Sequence, residues 1–117
     1  MKAIIEVAKR GAAIRSAKQQ LAAARRGRVP DYRLSFESAR MLFAELTPAR
    51  LKLLHTLRRV GPCSVYALAK AAERNYSNVH TDVSRLEELG LIERGEHGTI
   101  LVPYESVEIL MPLAQMA

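Results

Sequence analysis

The sequence predicts a mainly α fold with a small β-hairpin, which places the chain in the α+β class. Three observations support this prediction. Apolar residues recur at helical spacing in three segments between residues 48 and 89, turn signals separate these segments, and the period changes to that of two short strands after Gly90. Three helices followed by a hairpin is the arrangement of a winged helix-turn-helix. We therefore expect this fold with one extra N-terminal helix.

Length and composition restrict the class of protein. The chain has 117 residues and a mass of 13.0 kDa, which suits one domain with an appendage. Hydrophobic residues make up 49% and charged residues 26%, the balance of a globular protein. The single cysteine excludes a disulfide framework, and no apolar run approaches the ~20 residues of a membrane span. Because Glu6 and Lys9 interrupt the first apolar stretch, a signal peptide is not expected. The sequence predicts a cytoplasmic protein with no membrane partner.

Residues 1–30 are expected to form a helix and a hinge. The segment 3–26 is rich in alanine, and Val7, Ile14 and Leu21 lie one heptad apart. The glycine at 27 and the proline at 30 favour an end to this helix.

The N-terminal segment also carries the charge. Residues 1–33 hold nine basic and two acidic side chains, whereas the rest of the chain holds nine basic and ten acidic ones. Such an excess is typical of a protein with a polyanionic partner, so Arg25, Arg26 and Arg28 are predicted DNA contacts. The alternatives for this segment are a solvated basic helix, a dimerisation helix, or a helix that binds another protein.

The predicted domain spans residues 31–109 and begins with a strand and two helices. Tyr32 to Phe36 alternates as a strand does. Residues 38–46 are expected to form a helix that offers Met41, Leu42 and Phe43 for packing.

Thr47-Pro48 marks the start of the next helix, with a hydroxyl cap and a proline at the first helical position. Its apolar stripe is predicted to consist of Leu51, Leu54, Leu57 and Val60, and Gly61-Pro62 ends it.

Two further helices and a hairpin complete the domain. Ser64 caps a helix in which Val65, Leu68 and Ala69 face inward, and Gly90 closes a longer helix over 76–89. Residues 91–94 and 99–102 are predicted to pair across a four-residue turn flanked by glycines. A further short strand is expected within 104–109, and residues 110–117 form an apolar tail.

The helix over 76–89 is the predicted recognition helix. Val79, Val83 and Leu86 lie on one face and predict its buried side. The opposite face offers groups that hydrogen-bond to bases or phosphates. The predicted DNA contacts around this helix are Ser64, Asn75, Tyr76, Ser77, Asn78, His80, Thr81, Ser84 and Arg85, and those on the hairpin are Arg94 and His97. We expect Arg85 to contact phosphate, and the acidic Glu87 and Glu88 to lie away from it. The alternative is a solvated helix face.

Residues 75–94, together with Val102-Pro103-Tyr104, resemble a group of small prokaryotic MarR-like winged-helix regulators. Residues 51–58 and 64–69 match the same pattern, so the resemblance covers residues 45–109. It implies a DNA-binding protein that acts as a dimer. Some relatives look like antitoxins that repress their own operon.

Other chemistry has weaker signals. For Asp82 we expect a local hydrogen bond or salt bridge, because a carboxylate facing phosphate would repel it. For Cys63 we expect a half-buried structural thiol, although its place before a helix N-terminus leaves a redox sensor as the alternative.

The sequence gives no sign of a metal site or an active site. The three histidines lack metal-ligand spacing, and neither a nucleophile elbow nor a phosphate-binding glycine loop is present. We therefore expect no cofactor, no metal and no enzymatic activity.

The sequence thus predicts a homodimeric regulator, expected to be a repressor, that binds specific sites on double-stranded DNA. The alternative is an antitoxin that binds a toxin through its N-terminal or C-terminal segment and regulates its own operon.

Overall fold

The computed structural model describes residues 1–8 and 30–113. Within these residues the helices are α1 (Ala39–Glu45), α2 (Pro48–Val60), α3 (Val65–Ala72) and α4 (Tyr76–Glu88). The strands are β1 (Ala3–Val7), β2 (Tyr32–Phe36), β3 (Glu93–Arg94), β4 (Ile100–Leu101) and β5 (Val107–Leu110), and a short 3-10 turn covers Glu96–Gly98. The predicted α+β class is confirmed. Among the described residues, no helix is long and apolar enough to cross a bilayer.

The chain divides into two compact units. The first comprises the described residues within Met1–Glu45 and Tyr104–Ala117, and the second comprises Leu46–Pro103. The first unit therefore contains β1, β2, α1 and β5, whereas the second contains α2, α3, α4 and the β3–β4 hairpin. The predicted strand at Tyr32–Phe36 is confirmed. It belongs to the first unit, whereas α2, α3 and α4 belong to the second.

The first strand corrects the prediction of one helix over residues 3–26. Residues Ala3–Val7 form β1, which pairs with a neighbour along each edge. Ile4 and Ile5 are both buried. Successive strand side chains point to opposite faces, so both faces of β1 are covered. Strand pairing and burial of β-branched side chains outweigh the helical preference of the alanine-rich context. The rest of the predicted helix, with Arg25, Arg26 and Arg28, lies outside the described residues.

The sheet of the first unit is parallel, with β1 between β2 and β5. Ile5 lies in register with Leu34 of β2 and Ile109 of β5, which makes one face apolar. On the other face, Glu6 accepts a hydrogen bond from the Ser35 hydroxyl at 3.2 Å and forms an ion pair with Arg33 at 3.7 Å. The one charged residue of the central strand is therefore partnered by its neighbour β2.

The helix α1 buries less than the sequence predicted. Of the three apolar residues offered for packing, Leu42 is fully buried, while Met41 and Phe43 are 51% and 54% exposed. A helix of two turns presents only a narrow face to one neighbour, so the side chains on either side of Leu42 remain in solvent.

In the second unit, α2 and α3 begin where the sequence predicts. The Thr47 hydroxyl accepts a hydrogen bond from the backbone N–H of Arg50 at 3.2 Å, and the Ser64 hydroxyl accepts one from Ala67 at 3.1 Å. Each cap satisfies a backbone donor that the first helical turn leaves unpaired. At the end of α2, Gly61 has a φ of 88°, which favours glycine.

The core of the second unit draws on all three helices and the hairpin. Its fully or almost fully buried side chains are Leu46, Leu53, Leu57, Leu68, Val79, Val83, Leu86, Leu91, Ile92 and Ile100. The predicted inward faces of α3 and α4 are therefore confirmed. The predicted stripe of α2 is only partly buried, because Val60 at its end is 47% exposed while Leu53 and Thr56 are buried beside Leu54 and Leu57.

The hairpin is shorter than predicted, because only Glu93–Arg94 and Ile100–Leu101 pair as strands. A backbone link joins it to the connection between α2 and α3. The N–H of Ile100 donates to the carbonyl of Cys63 at 2.8 Å, and the N–H of Cys63 donates to the carbonyl of Ile100 at 3.2 Å. This pair of hydrogen bonds anchors the base of the hairpin within its own unit.

Candidate nucleic-acid interface

Both ends of α4 are fixed by local hydrogen bonds. At its start, the Asn75 side-chain oxygen accepts from the backbone N–H of Asn78 at 3.3 Å. At its end, Gly90 adopts a positive φ of 80°, its N–H donates to the carbonyl of Glu87, and the N–H of Leu91 donates to the carbonyl of Leu86. These two bonds form a Schellman motif, which satisfies carbonyls that the last turn leaves unpaired. The helix is therefore closed at both ends.

The two faces of α4 differ in character. Val79, Val83 and Leu86 have no exposed surface. Seven of the remaining ten positions form what we call the polar face of α4, which consists of Tyr76, Ser77, Asn78, His80, Thr81, Ser84 and Arg85. Its first five members are exposed and its last two are half-buried. The structure thus gathers seven of the predicted contact residues along one helix.

Several of the predicted contacts also serve the local structure. The hydroxyl of Thr81 donates to the carbonyl of Ser77 at 3.1 Å, and Ser64 and Asn75 are the caps of α3 and α4. A cap uses an acceptor, so the hydroxyl hydrogen of Ser64 and the amide hydrogens of Asn75 are not consumed by it. Both residues are exposed and retain donors that a nucleic acid accepts.

Two predicted DNA contacts, Arg85 and Arg94, are held in ion pairs. Arg85 donates to Glu88 at 2.9 Å, and Arg94 of the hairpin donates to Glu87 at 2.7 Å. The sequence predicted that the two glutamates lie away from phosphate, and it did not anticipate that they pair with these arginines. To bind phosphate, each arginine has to exchange a carboxylate oxygen for a phosphate oxygen.

The contact residues fall into two groups along α4. Asn75 to Thr81 lie at its N-terminal end, whereas Arg94 meets Glu87 near its C-terminal end. His97 is exposed at the turn of the hairpin, in the left-handed region with a φ of 57°. At 1.5 Å per residue, the six positions from Thr81 to Glu87 separate the two groups by about 9 Å along the helix axis.

Asp82 has the structural role that the sequence predicts. Its two carboxylate oxygens accept from Arg50 of α2 at 3.0 Å and from Arg74, in the α3–α4 connection, at 2.7 Å. Partial burial raises the pKa of Asp82, but the hydrogen bonds and charges of Arg74 and Arg50 outweigh it and hold the pKa below its ordinary 3.8. The cluster joins α4 to α2 through Arg50, and no spacing pattern in the sequence points to its two arginines.

The structure also shows an aromatic contact, between Tyr66, Tyr76 and His80, that was not predicted from the sequence. The rings of Tyr66 and Tyr76 lie 6.5 Å apart, and those of Tyr76 and His80 lie 5.9 Å apart. Tyr66 is in the first turn of α3 and is 66% exposed. The signal was present, because inward-facing neighbours at Val65 and Leu68 leave Tyr66 on the outside.

Cys63 has the surroundings of a structural thiol. It is half-buried, and burial raises the pKa of its thiol above the ordinary 9.0. A raised pKa leaves less thiolate, the form that reacts with oxidants, so this environment favours the structural interpretation. Within residues 1–8 and 30–113, no group of three or more His, Cys, Asp or Glu side chains is placed to hold a metal ion.

One small cavity of about 140 Å³ lies in the second unit. It is lined by Ala49, Lys52, Leu53, Thr56, Ala72 and Arg74. Pockets that enclose a cofactor or drug-sized molecule are usually at least about 300 Å³, so this cavity does not fit one.

Comparison with known proteins assigns the chain to a family. The family model HVO_A0114 matches residues 45–109, more than half of the chain, so the chain belongs to the HVO_A0114 family. No curated protein and no solved structure matches it. The matched range contains α2, α3, α4 and the hairpin, and therefore the polar face of α4.

Proposed function

We propose that this member of the HVO_A0114 family is a transcriptional regulator that binds specific sites on double-stranded DNA through a winged helix-turn-helix. In this proposal α3 and α4 are the helix-turn-helix, α4 is the recognition helix and the β3–β4 hairpin is the wing. The observation that carries the proposal is the polar face of α4, where hydrogen-bonding side chains are exposed opposite a fully buried apolar stripe.

The dimensions of α4 suit the major groove. Its 13 residues span about 20 Å, and the groove of B-DNA is about 12 Å wide, so the N-terminal half enters the groove while the rest stays outside. Asn78 is exposed in this half, and an asparagine amide reads adenine by donating to N7 and accepting from N6. We assign Asn78 the principal role in base recognition.

The charges of the second unit are compatible with an approach to phosphate. Residues 75–81 contain no acidic side chain. Asp82, which follows them, is half-buried and accepts from two arginines, so its charge is compensated. The N-terminus of α4 adds the positive end of its helix dipole.

The resemblance to MarR-like regulators supports the same DNA-binding function and also a dimeric state. We propose that the protein acts in the cytoplasm as a homodimer and as a repressor. A two-fold symmetric dimer places two recognition helices on half-sites about one helical turn apart.

The second candidate function is that of an antitoxin. It is favoured by apolar side chains exposed in the first unit, on the edge strand β5 and after it. Ile109, Leu110 and Leu113 are 40%, 50% and 87% exposed. In this alternative they bind a toxin, while the second unit binds the operon. Co-expression with the product of an adjacent gene, followed by affinity purification, distinguishes a bound toxin from none.

The main experiment measures DNA affinity by fluorescence anisotropy. The probes are a duplex from the chain's own promoter region and a scrambled duplex, each at two salt concentrations. We expect the promoter to bind at least about 1,000-fold more tightly than the scrambled duplex, with affinity that falls steeply with salt. Equal affinity for both duplexes would contradict the proposal.

The matched variants are Asn78→Ala and His55→Ala, since both residues are exposed and His55 lies on α2 away from the polar face. We expect Asn78→Ala to lower promoter affinity by about 5- to 100-fold and to leave scrambled DNA unaffected. His55→Ala should change neither.

A further inference from the structure

Three aromatic side chains form a continuous row on the surface of the second unit. We call Tyr66, Tyr76 and His80 the aromatic row. Ring centroids are 6.5 Å apart between the two tyrosines and 5.9 Å apart between Tyr76 and His80. Two of its members belong to the polar face of α4, and the third extends that surface onto α3.

The row is more exposed than aromatic residues usually are. Tyr66 and Tyr76 are 66% and 50% exposed, although each ring carries a large apolar area. Single exposed apolar residues are normal on protein surfaces, but rings gathered in contact with each other mark an interaction site. We therefore interpret the aromatic row as part of a binding surface.

The surroundings of the row favour a polyanion. Residues 64–72 and 75–81 contain no acidic side chain, and Lys70 is the basic one among them. Tyr66 and Tyr76 both lie in the first turn of a helix, so the positive ends of the α3 and α4 dipoles meet at the row. This positive potential attracts the negatively charged backbone of a nucleic acid, whereas it does not stabilise contact with an apolar protein surface.

We propose that the aromatic row is part of the DNA interface and that Tyr66 is a further DNA-contacting residue. The Tyr66 hydroxyl donates a hydrogen bond to a backbone phosphate, and the rings of Tyr66 and Tyr76 pack against the deoxyribose groups beside it. This inference rests on the proposed DNA-binding function. It extends the interface from the recognition helix to the preceding helix.

The salt dependence of DNA affinity distinguishes a tyrosine–phosphate contact from a contact made by lysine or arginine. Salt dependence counts the phosphates neutralised by lysine and arginine, because only these release counterions. Loss of a neutral contact therefore lowers affinity equally at every salt concentration and leaves the slope of log K against log[salt] unchanged.

The test uses the full chain with Tyr66→Phe and Tyr66→Ala. Tyr66→Phe removes only the hydroxyl, and we expect a loss of promoter affinity of about 3- to 5-fold. Tyr66→Ala also removes the ring, and we expect a loss of about 10- to 30-fold, with an unchanged salt slope in both cases. The control is Phe43→Ala, which removes an exposed ring from the first unit and should leave affinity unchanged. Circular dichroism verifies that each variant is folded.

The outcomes separate this inference from the function on which it rests. If the wild type binds its promoter but Tyr66→Ala stays within twofold of it, Tyr66 is not a contact and the DNA-binding function stands. If Tyr66→Ala reduces the salt slope by one, the loss involves a cation and the inference is overturned. If the wild type binds no DNA, the proposed function fails together with the inference.

Discussion

Arg94 of the hairpin donates a hydrogen bond to Glu87 of α4 at 2.7 Å, and this ion pair joins the two elements. Both side chains are partly exposed, so the pair adds at most about 0.5 kcal/mol to stability. Its larger effect is on the charge that the hairpin presents. While Glu87 holds Arg94, the charge of the guanidinium is neutralised, and the Glu87 carboxylate competes with any incoming phosphate for it.

Replacement of Glu87 should therefore strengthen DNA binding. We expect Glu87→Gln to raise promoter affinity by about 3- to 10-fold at low salt, because Arg94, which the Glu87 carboxylate holds in the wild type, becomes available to neutralise a phosphate. The slope of log K against log[salt] should steepen by about one, since one more phosphate is neutralised. Anisotropy titrations at three salt concentrations measure both quantities.

A matched variant separates this effect from a general gain of positive charge. Glu96→Gln changes the net charge equally and lies in the turn of the same hairpin, where its side chain is exposed. If the two variants bind DNA alike, release of Arg94 is not the cause.

Asp82 should be among the most sensitive charged residues of the second unit. We expect Asp82→Asn to lower the free energy of unfolding at pH 7 by about 2 kcal/mol, because Arg50 and Arg74 lose the carboxylate between them. Urea denaturation followed by circular dichroism measures the change. Glu88→Gln, at an exposed ion pair, should cost less than about 0.5 kcal/mol.

The same cluster predicts a dependence on acidic pH. Since the pKa of Asp82 is lowered from 3.8 in the folded protein, its contribution is complete above that value and is lost as the pH falls through the lower folded pKa. The stability difference between the wild type and Asp82→Asn should therefore shrink as the pH falls below about 4. A difference that stays constant down to pH 2 would contradict this assignment.

Glu73 is placed where glycine is preferred. It follows α3 in the left-handed region with a φ of 54°, and its N–H donates to the carbonyl of Lys70. A side chain in this region has a conformational cost of about 1 kcal/mol. We expect Glu73→Gly to raise the free energy of unfolding by about 0.5 kcal/mol, as glycine also gives the unfolded chain more freedom.

Glu73→Ala provides the comparison, because it removes the charge but keeps the Cβ atom. The free energy of unfolding of Glu73→Ala, measured by urea denaturation, should stay near that of the wild type. A gain in Glu73→Ala equal to that in Glu73→Gly would trace the effect to charge instead of backbone conformation.

The central strand offers a test of the parallel sheet. Ile5 of β1 is fully buried, and its neighbour in register on β5, Ile109, is 40% exposed. We expect Ile5→Ala to destabilise the first unit by about 3 kcal/mol and Ile109→Ala by less than about 1 kcal/mol. Thermal unfolding of the two variants measures the difference, and equal losses would contradict the central position of β1.

Much of the second unit was predictable because its signals are local. The hydroxyl caps at Thr47 and Ser64, the glycine at 90 and the apolar spacing of Val79, Val83 and Leu86 all act within a few residues of the chain. Their hydrogen bonds close inside one helical turn, so the sequence alone places them. The polar face of α4 follows from the same spacing.

The parts that could not be predicted depend on residues far apart in the sequence. Nothing local distinguishes Ala3–Val7 from the start of an alanine-rich helix, because the strand exists only through pairing with residues 32–36 and 107–110. The partners of Asp82 likewise come from α2 and from the connection before α4.

The sequence by itself determined where the helices of the second unit begin and end, which faces of α3 and α4 are buried, and which polar side chains share α4. Caps and apolar periodicity act over one or two turns, so the order of residues is sufficient to set them. Only the tertiary structure decided that residues 3–7 are a central strand, that Arg94 is held by Glu87, and that Tyr66 joins Tyr76 and His80. Each of these depends on the distance between elements, which packing sets and local sequence does not.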